Sequence, residues 1–124
     1  MLGLALIAVL VAGFVSLAVQ PQWAARSIAE VIGATDSSTL DVTVNHNRCG
    51  NGGPRVKVTR QSADSIVLSA EQDERGDCDD IGLTSIVTVK LDAALGQRAI
   101  RFQPEQQVGS VVCIIDGERS DLCR

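Results

Sequence analysis

The sequence predicts a mainly β protein, namely a small antiparallel β-sandwich of about six strands preceded by an N-terminal transmembrane or signal helix. Three observations support this prediction: a long uncharged apolar run at the start, apolar residues at every second position after residue 40, and four cysteines in 124 residues. They divide the chain into a hydrophobic signal anchor with a helical extension at 1–33, a linker at 34–39, and an extracytoplasmic disulfide-stabilised β domain at 40–124.

The apolar run at residues 2–19 contains no charged side chain. As a helix it would be about 27 Å long, which nearly matches the hydrocarbon core of a bilayer. The residues directly after it lack the small-residue pattern that signal peptidase needs, and Trp23 lies where an interfacial aromatic residue would anchor the outer end of a span. We therefore expect a single-pass protein of the cell membrane with its C-terminal domain outside the cytoplasm. The alternative is a secreted protein, cleaved near Ala25 or Ala34.

Residues 21–33 are expected to form a short amphipathic helix that continues the anchor. Pro21 suits a first helical turn, and Gly33 suits a helix end. The apolar positions with helical spacing are Trp23, Ile28, Val31 and Ile32. The polar residues 34–39 then predict a linker.

Beyond residue 40 the apolar pattern changes to a period of two, which is typical of half-buried strands. Glycine, asparagine and aspartate separate the segments and favour turns. Short strands at this spacing predict an antiparallel sandwich without internal repeats. The six predicted strands are 40–45, 56–59, 66–70, 86–91, 98–102 and 111–115.

The four cysteines are Cys49, Cys78, Cys113 and Cys123. An even number of cysteines in a short chain with an export-type N-terminus indicates disulfides in an oxidising compartment. Four cysteines allow three pairings, and spacing cannot choose among them, although proximity favours a bridge between Cys113 and Cys123. A zinc site is not expected, because close CxxC-like pairs are missing.

Charge and aromatic content argue against a nucleic-acid partner. The net charge at pH 7 is −4, and no cluster of Lys and Arg is present to bind phosphates. Phe102 is the only aromatic residue beyond Trp23, so stacking platforms for bases are almost absent.

Two candidate sites stand out by their chemistry. His46 is the only histidine, but no nucleophile motif accompanies it, and we interpret it as a polar loop residue. The acidic segment 71–80 could bind Ca²⁺ weakly, although its spacing does not match an EF-hand and a solvated loop is the simpler interpretation. Its possible binding residues are Glu71, Asp73, Glu74, Asp77, Asp79 and Asp80.

Several elements of the sequence resemble small uncharacterised disulfide-containing β-sandwich domains that actinobacteria export or anchor in the membrane. The shared elements are a cysteine near the first strand, a Pro-x-Val-x-Val-Thr strand, an acidic loop with a second cysteine, and a turn that ends in arginine. The resemblance implies a β-sandwich and a Cys49–Cys78 bridge, and it implies no activity. The matching segments are Cys49, 54–59, 76–78 and 89–98, with departures at Ala94 and Gln97, where the pattern has Pro and Asp.

These observations predict a non-enzymatic, membrane-anchored envelope protein without a cofactor or bound metal. Its β domain is expected to dock to another envelope or membrane protein, as an accessory subunit. The alternative is a secreted or anchored ligand- or Ca²⁺-binding module that uses the acidic segment 71–80.

Overall fold

The computed structural model describes residues 20–50, 52–103 and 110–123, which form nine strands. The strands are β1 (Trp23–Arg26), β2 (Ile28–Gly33), β3 (Thr39–Cys49), β4 (Arg55–Gln61), β5 (Ser65–Asp73), β6 (Cys78–Lys90), β7 (Ala99–Phe102), β8 (Val112–Ile115) and β9 (Glu118–Arg119). All six strands predicted beyond residue 40 are confirmed.

The strands form two sheets in a sandwich-like arrangement. In the first sheet, β5 pairs with β4 on one side and with both β1 and β7 on the other. The second sheet has the order β6-β3-β2-β8-β9. Side chains from both sheets form one core, which includes Val42 and Val44 of β3 and Ile66 and Leu68 of β5. The mainly β prediction is therefore confirmed.

The prediction of a helical extension at residues 21–33 is wrong, because β1 and β2 occupy this segment. A β-bulge explains the misleading spacing. Ile28 lies opposite Val44, whereas Glu30 lies opposite Thr43, so β2 carries one extra residue. Ile28 and Val31 therefore both face the core at a spacing of three, which imitates one face of a helix.

The prediction of an antiparallel sandwich holds for most strand pairs, but two pairs of the described strands are parallel. β2 pairs in parallel with β8, and β5 pairs in parallel with β7. A period of two places side chains on alternate faces whichever way the neighbouring strand runs, so the sequence pattern does not contain the direction of pairing.

The segment predicted as a linker, 34–39, connects β2 to β3 within the second sheet. Its backbone makes long-range hydrogen bonds: the Leu95 amide donates to the Ser37 carbonyl over 2.9 Å, and the Gly96 amide donates to the Thr35 carbonyl over 2.8 Å. The β domain therefore begins at β1 rather than at residue 40.

Two disulfides are present, Cys49–Cys78 and Cys113–Cys123. The first joins the paired strands β3 and β6. The second joins β8 of the second sheet to a C-terminal segment that lies beside β7 of the first sheet, where the Ile100 amide donates to the Leu122 carbonyl over 2.7 Å. The Cys113–Cys123 disulfide, which closes the shorter loop, therefore ties the two sheets together.

The predicted anchor at residues 2–19 lies outside the described residues. Within the part of the chain that the structure describes, no helix has the length and apolar character to cross a membrane.

Candidate functional site

The candidate site is the outer edge of β6, which we call the β6 edge and define as residues 78–90. β6 is the terminal strand of the second sheet, and among the described residues it pairs only with β3. With thirteen residues it is the longest of the described strands. A terminal strand presents a row of backbone amides and carbonyls without strand partners, so another strand can add to it.

Exposed apolar side chains concentrate on the same strand. Five large apolar residues of the described chain are exposed, and three of them, Ile81, Leu83 and Ile86, lie on β6. Ile86 is the most exposed of the five, at 68%. Apolar side chains beside an open edge are the combination that favours docking of a further strand.

The charge pattern of β6 differs between its middle and its ends. Residues 81–89 contain no charged side chain, whereas Asp79 and Asp80 precede this stretch and Lys90 follows it. Soluble proteins commonly protect an open edge with charges, prolines or very short strands. The middle of β6 has none of these devices.

The structure corrects the interpretation of His46 as a loop residue, because His46 lies within β3 on the core-facing side of the second sheet and is 8% exposed. Its Nδ1 lies 2.9 Å from the Asn47 carbonyl, and its Nε2 lies 2.7 Å from the Ser85 hydroxyl. If Nδ1 carries the proton, Nε2 accepts a hydrogen bond from Ser85. Nε2 therefore helps to hold β6 against β3, whereas the contact of Nδ1 orients the ring within β3 itself.

Gln72 lies beside His46, and its polar side chain is fully buried. Its Nε2 donates to the Asn47 carbonyl over 2.7 Å and to the Gly52 carbonyl over 3.2 Å, while its Oε1 accepts a hydrogen bond of 2.9 Å from Nε of Arg26. Burial of an amide is tolerated when its donors and acceptors are satisfied. Gln72 therefore links β1, β3 and β5 from inside the sandwich.

The acidic residues of the segment 71–80 do not share one loop. Glu71 and Asp73 lie on β5, Asp79 and Asp80 lie on β6, and only Glu74 and Asp77 lie between the strands. Four of the six form ion pairs: Glu71 with Arg55 and Lys57, Asp73 with Arg75, Glu74 with Arg26, and Asp79 with Arg48.

The surroundings of three of these carboxylates lower their pKa values. Burial raises the pKa of Asp73, but hydrogen bonds from the Arg75 backbone and side chain and from the Gln22 amide outweigh it and hold the pKa below its usual value. The pKa of Glu71 is also lowered, since Lys57 and Arg55 outweigh the effect of burial.

The pKa of Asp79 is lowered in the same way, because hydrogen bonds from the Ile81 amide and the Arg48 guanidinium outweigh its desolvation. A cation such as Ca²⁺ would have to displace arginine or lysine from four of the six carboxylates. Within the described residues, no three metal-ligating side chains are grouped as a metal site needs.

The sequence did contain a signal for the β6 edge. Ile86 belongs to the face of its strand that carries Thr84 and Thr88, whereas Val87 and Val89 face the core. A large apolar residue on the polar face of a strand marks a position that another surface can cover. That β6 is a terminal strand could not be read from the sequence, because it depends on the order of strands in the sheet.

Comparison of the chain with protein-family models, with curated protein sequences and with solved structures finds no match in any of the three. The fold and the site define a mainly β, two-sheet domain with two disulfides, and the disulfides indicate an extracytoplasmic location.

Proposed function

We propose that this chain is a non-enzymatic envelope protein, anchored in the cell membrane by residues 2–19, whose β domain docks to another envelope or membrane protein through the β6 edge. The observation that carries the proposal is the coincidence of an open terminal strand with three exposed large apolar side chains, Ile81, Leu83 and Ile86. The resemblance to anchored or exported actinobacterial β domains supports the location.

Docking by strand addition uses two kinds of contact. Backbone hydrogen bonds along the edge supply affinity, and side chains at alternate positions supply specificity. In β6 the outward-facing positions include Thr84, Ile86 and Thr88, which follow the same face of the strand. Ile86 would be the central apolar contact, because its neighbours on this face are small and polar.

The disulfide Cys49–Cys78 supports this role by its position. It closes the end of the β3–β6 pair with its two Cα atoms 4.1 Å apart, beside the Arg48–Asp79 ion pair. His46 and Ser85 hold the same two strands together further along. These contacts limit fraying of β6. The strand is therefore already extended before a partner binds, and docking costs less conformational entropy.

The test is purification of the full-length protein from its native membranes in mild detergent, followed by mass spectrometry of the proteins that accompany it. Ile86→Lys is expected to abolish co-purification of a stoichiometric partner, because it places a charge at the centre of the contact. Ile32→Lys is the matched control, since Ile32 is also exposed but lies on β2, two strands in from the edge. A partner that remains bound to the Ile86→Lys variant would contradict docking through the β6 edge.

A further inference from the structure

We propose that the Cys49–Cys78 disulfide is a redox switch, which a dithiol opens while Cys113–Cys123 stays closed. Its opening releases residues 78–81, which form the first part of β6 and one end of the β6 edge. The inference concerns the order of this end of the strand, and it does not depend on which partner the β6 edge binds.

The two disulfides differ in their access to solvent. Cys78 is exposed and Cys49 is half-buried. Cys113 is 4% exposed and belongs to the core, and Cys123 packs against that core. Neither cysteine of the Cys49–Cys78 bridge is part of the core of the described chain. Since thiol–disulfide exchange requires a thiolate to reach one sulfur of the bridge, access favours attack on Sγ of Cys78.

An open surface cavity of about 420 Å³ lies beside the Cys49–Cys78 bridge. Both cysteines contribute to its lining, together with Arg48, Gly50, Asp77 and Asp79. An incoming thiol therefore has room at this disulfide without any displacement of the core.

The pairing of β3 with β6 is irregular next to the same bridge. The ladder is regular from Thr39–Lys90 to Asn47–Gly82, and the next pair is Cys49–Cys78. Between these last two pairs, β3 contributes one residue, 48, and β6 contributes three, 79–81. A bulge of this kind leaves residues without ladder hydrogen bonds. The disulfide therefore closes an end of the ladder that backbone pairing holds poorly.

Apart from the pairing of Cys49 with Cys78, two described contacts join the strands at this end. The Gly50 amide donates to the Asp77 carbonyl over 3.1 Å, and Arg48 forms an ion pair of 2.6 Å with Asp79. Both side chains of the ion pair are exposed, so the pair contributes little to stability. Without the disulfide, this end of β6 therefore opens easily.

The opening is expected to stop at Gly82. Beyond this residue the ladder is regular, and the Ser85 hydroxyl lies 2.7 Å from Nε2 of His46 on β3. A segment with few buried contacts can open while the remainder of the domain stays folded. Reduction of Cys49–Cys78 is thus a local change of β6 rather than unfolding of the sandwich.

The chemical step is thiol–disulfide exchange with a dithiol. A thiolate of the dithiol forms a bond to Sγ of Cys78, the bond between the two protein sulfurs breaks, and Cys49 leaves as a thiolate. The second thiol of the dithiol then attacks the mixed disulfide and expels Cys78. The dithiol loses two electrons and becomes a disulfide, while Cys49 and Cys78 take up its two protons and become thiols.

The experiment uses the full-length chain in mild detergent, with dithiothreitol as the dithiol. After a fixed time at each dithiothreitol concentration, free thiols are alkylated and the labelled peptides are measured by mass spectrometry. Cys49 and Cys78 are expected to be labelled at dithiothreitol concentrations at least about tenfold lower than Cys113 and Cys123, because their bridge is accessible without unfolding.

Hydrogen exchange of the same samples measures the opening itself. Selective reduction should accelerate exchange of the amides at 78–81 and leave the paired segment 83–90 unchanged. Cys49→Ser combined with Cys78→Ser should reproduce this acceleration without dithiothreitol. Arg48→Ala is the matched control, since it removes the ion pair, keeps the disulfide and should exchange as the oxidised protein does.

Three results would overturn the inference. They are labelling of all four cysteines at the same dithiothreitol concentration, exchange at 78–81 that is unchanged by reduction, and an opening that spreads beyond Gly82. None of them affects the proposed docking through the β6 edge, which is tested separately by Ile86→Lys.

Discussion

Arg98 shows how one buried side chain organises a turn. It is 8% exposed, and its guanidinium donates to the carbonyls of Ala93, Ala94 and Leu95 and to the carboxylate of Asp92. Arginine suits this position because its planar group offers five donors in fixed directions. The turn at residues 92–98 is therefore held together by the Arg98 side chain.

We expect Arg98→Lys to lower the free energy of unfolding by about 2–3 kcal/mol, because an ammonium cannot reach all of these acceptors and leaves buried carbonyls unpaired. Fluorescence of Trp23, the only tryptophan, during urea unfolding measures the change. Arg101→Lys is the control, since Arg101 is exposed on β7. Equal stabilities of the two variants would show that the hydrogen bonds of Arg98 contribute little.

The lowered pKa of Asp73 predicts a pH dependence of stability. A carboxyl whose pKa is lower in the folded than in the unfolded state stabilises the protein above the unfolded pKa of about 3.9, and this contribution is lost as pH falls through the folded pKa. Asp73→Asn should therefore reduce stability at pH 7 and make a progressively smaller difference below about pH 4. Urea unfolding at a series of pH values measures this, with the exposed residue Asp36 as control in Asp36→Asn. A difference that is constant with pH would exclude ionisation of Asp73 as its cause.

At the scale of elements, the two disulfides differ in what they connect. Cys49–Cys78 closes the longer loop, with a sequence separation of 29, whereas Cys113–Cys123 has a separation of 10. Chain entropy alone assigns about 3.6 kcal/mol to the longer loop and about 2.8 kcal/mol to the shorter. The structure indicates that the Cys113–Cys123 disulfide contributes further stability, because Cys113 belongs to the core and the disulfide ties the two sheets together.

We therefore expect the double substitution Cys113→Ala and Cys123→Ala to cost at least as much stability as Cys49→Ala with Cys78→Ala. Loop length alone would predict the larger cost for the Cys49–Cys78 bridge. The cost of losing the Cys113–Cys123 bridge combines lost loop closure, a small cavity and release of the C-terminal segment from β7. Thermal unfolding of both variants without reductant compares them. A clearly larger loss for the Cys49–Cys78 variant would show that loop length dominates.

For the molecule as a whole, the position of β2 limits where the chain can be processed. β2 lies between β3 and β8 in the second sheet and contributes Ile28 and Val31 to the core. Cleavage near Ala34, one of the sites considered from sequence, would remove both β1 and β2, and cleavage near Ala25 would cut β1 in two.

We therefore expect the native protein, whether anchored or secreted, to retain residues 23–33. Intact-mass measurement of the protein isolated from its source, with N-terminal peptide sequencing, tests this. A stable, folded species that begins after residue 34 would contradict the central role of β2, because a sandwich that loses an interior strand exposes its core and unpairs two neighbouring strands.

The sequence by itself determined the β character of the chain beyond residue 40 and the place of its six predicted strands, because alternation of apolar and polar residues is a local property of each strand. It also indicated an oxidising location from the cysteines and an apolar N-terminal segment. The prediction of a helix at residues 21–33 was wrong, since the bulge in β2 spaces Ile28 and Val31 as a helix would.

Only the tertiary structure decided the strand order, the direction of pairing and the partners of each charge. Glu71 and Asp79 belong to one acidic run in the sequence but to different sheets in the fold, where Arg55 and Arg48 neutralise them. The β6 edge exists for the same reason: whether a strand is central or terminal depends on which distant segments pair with it, and those contacts join residues far apart in sequence.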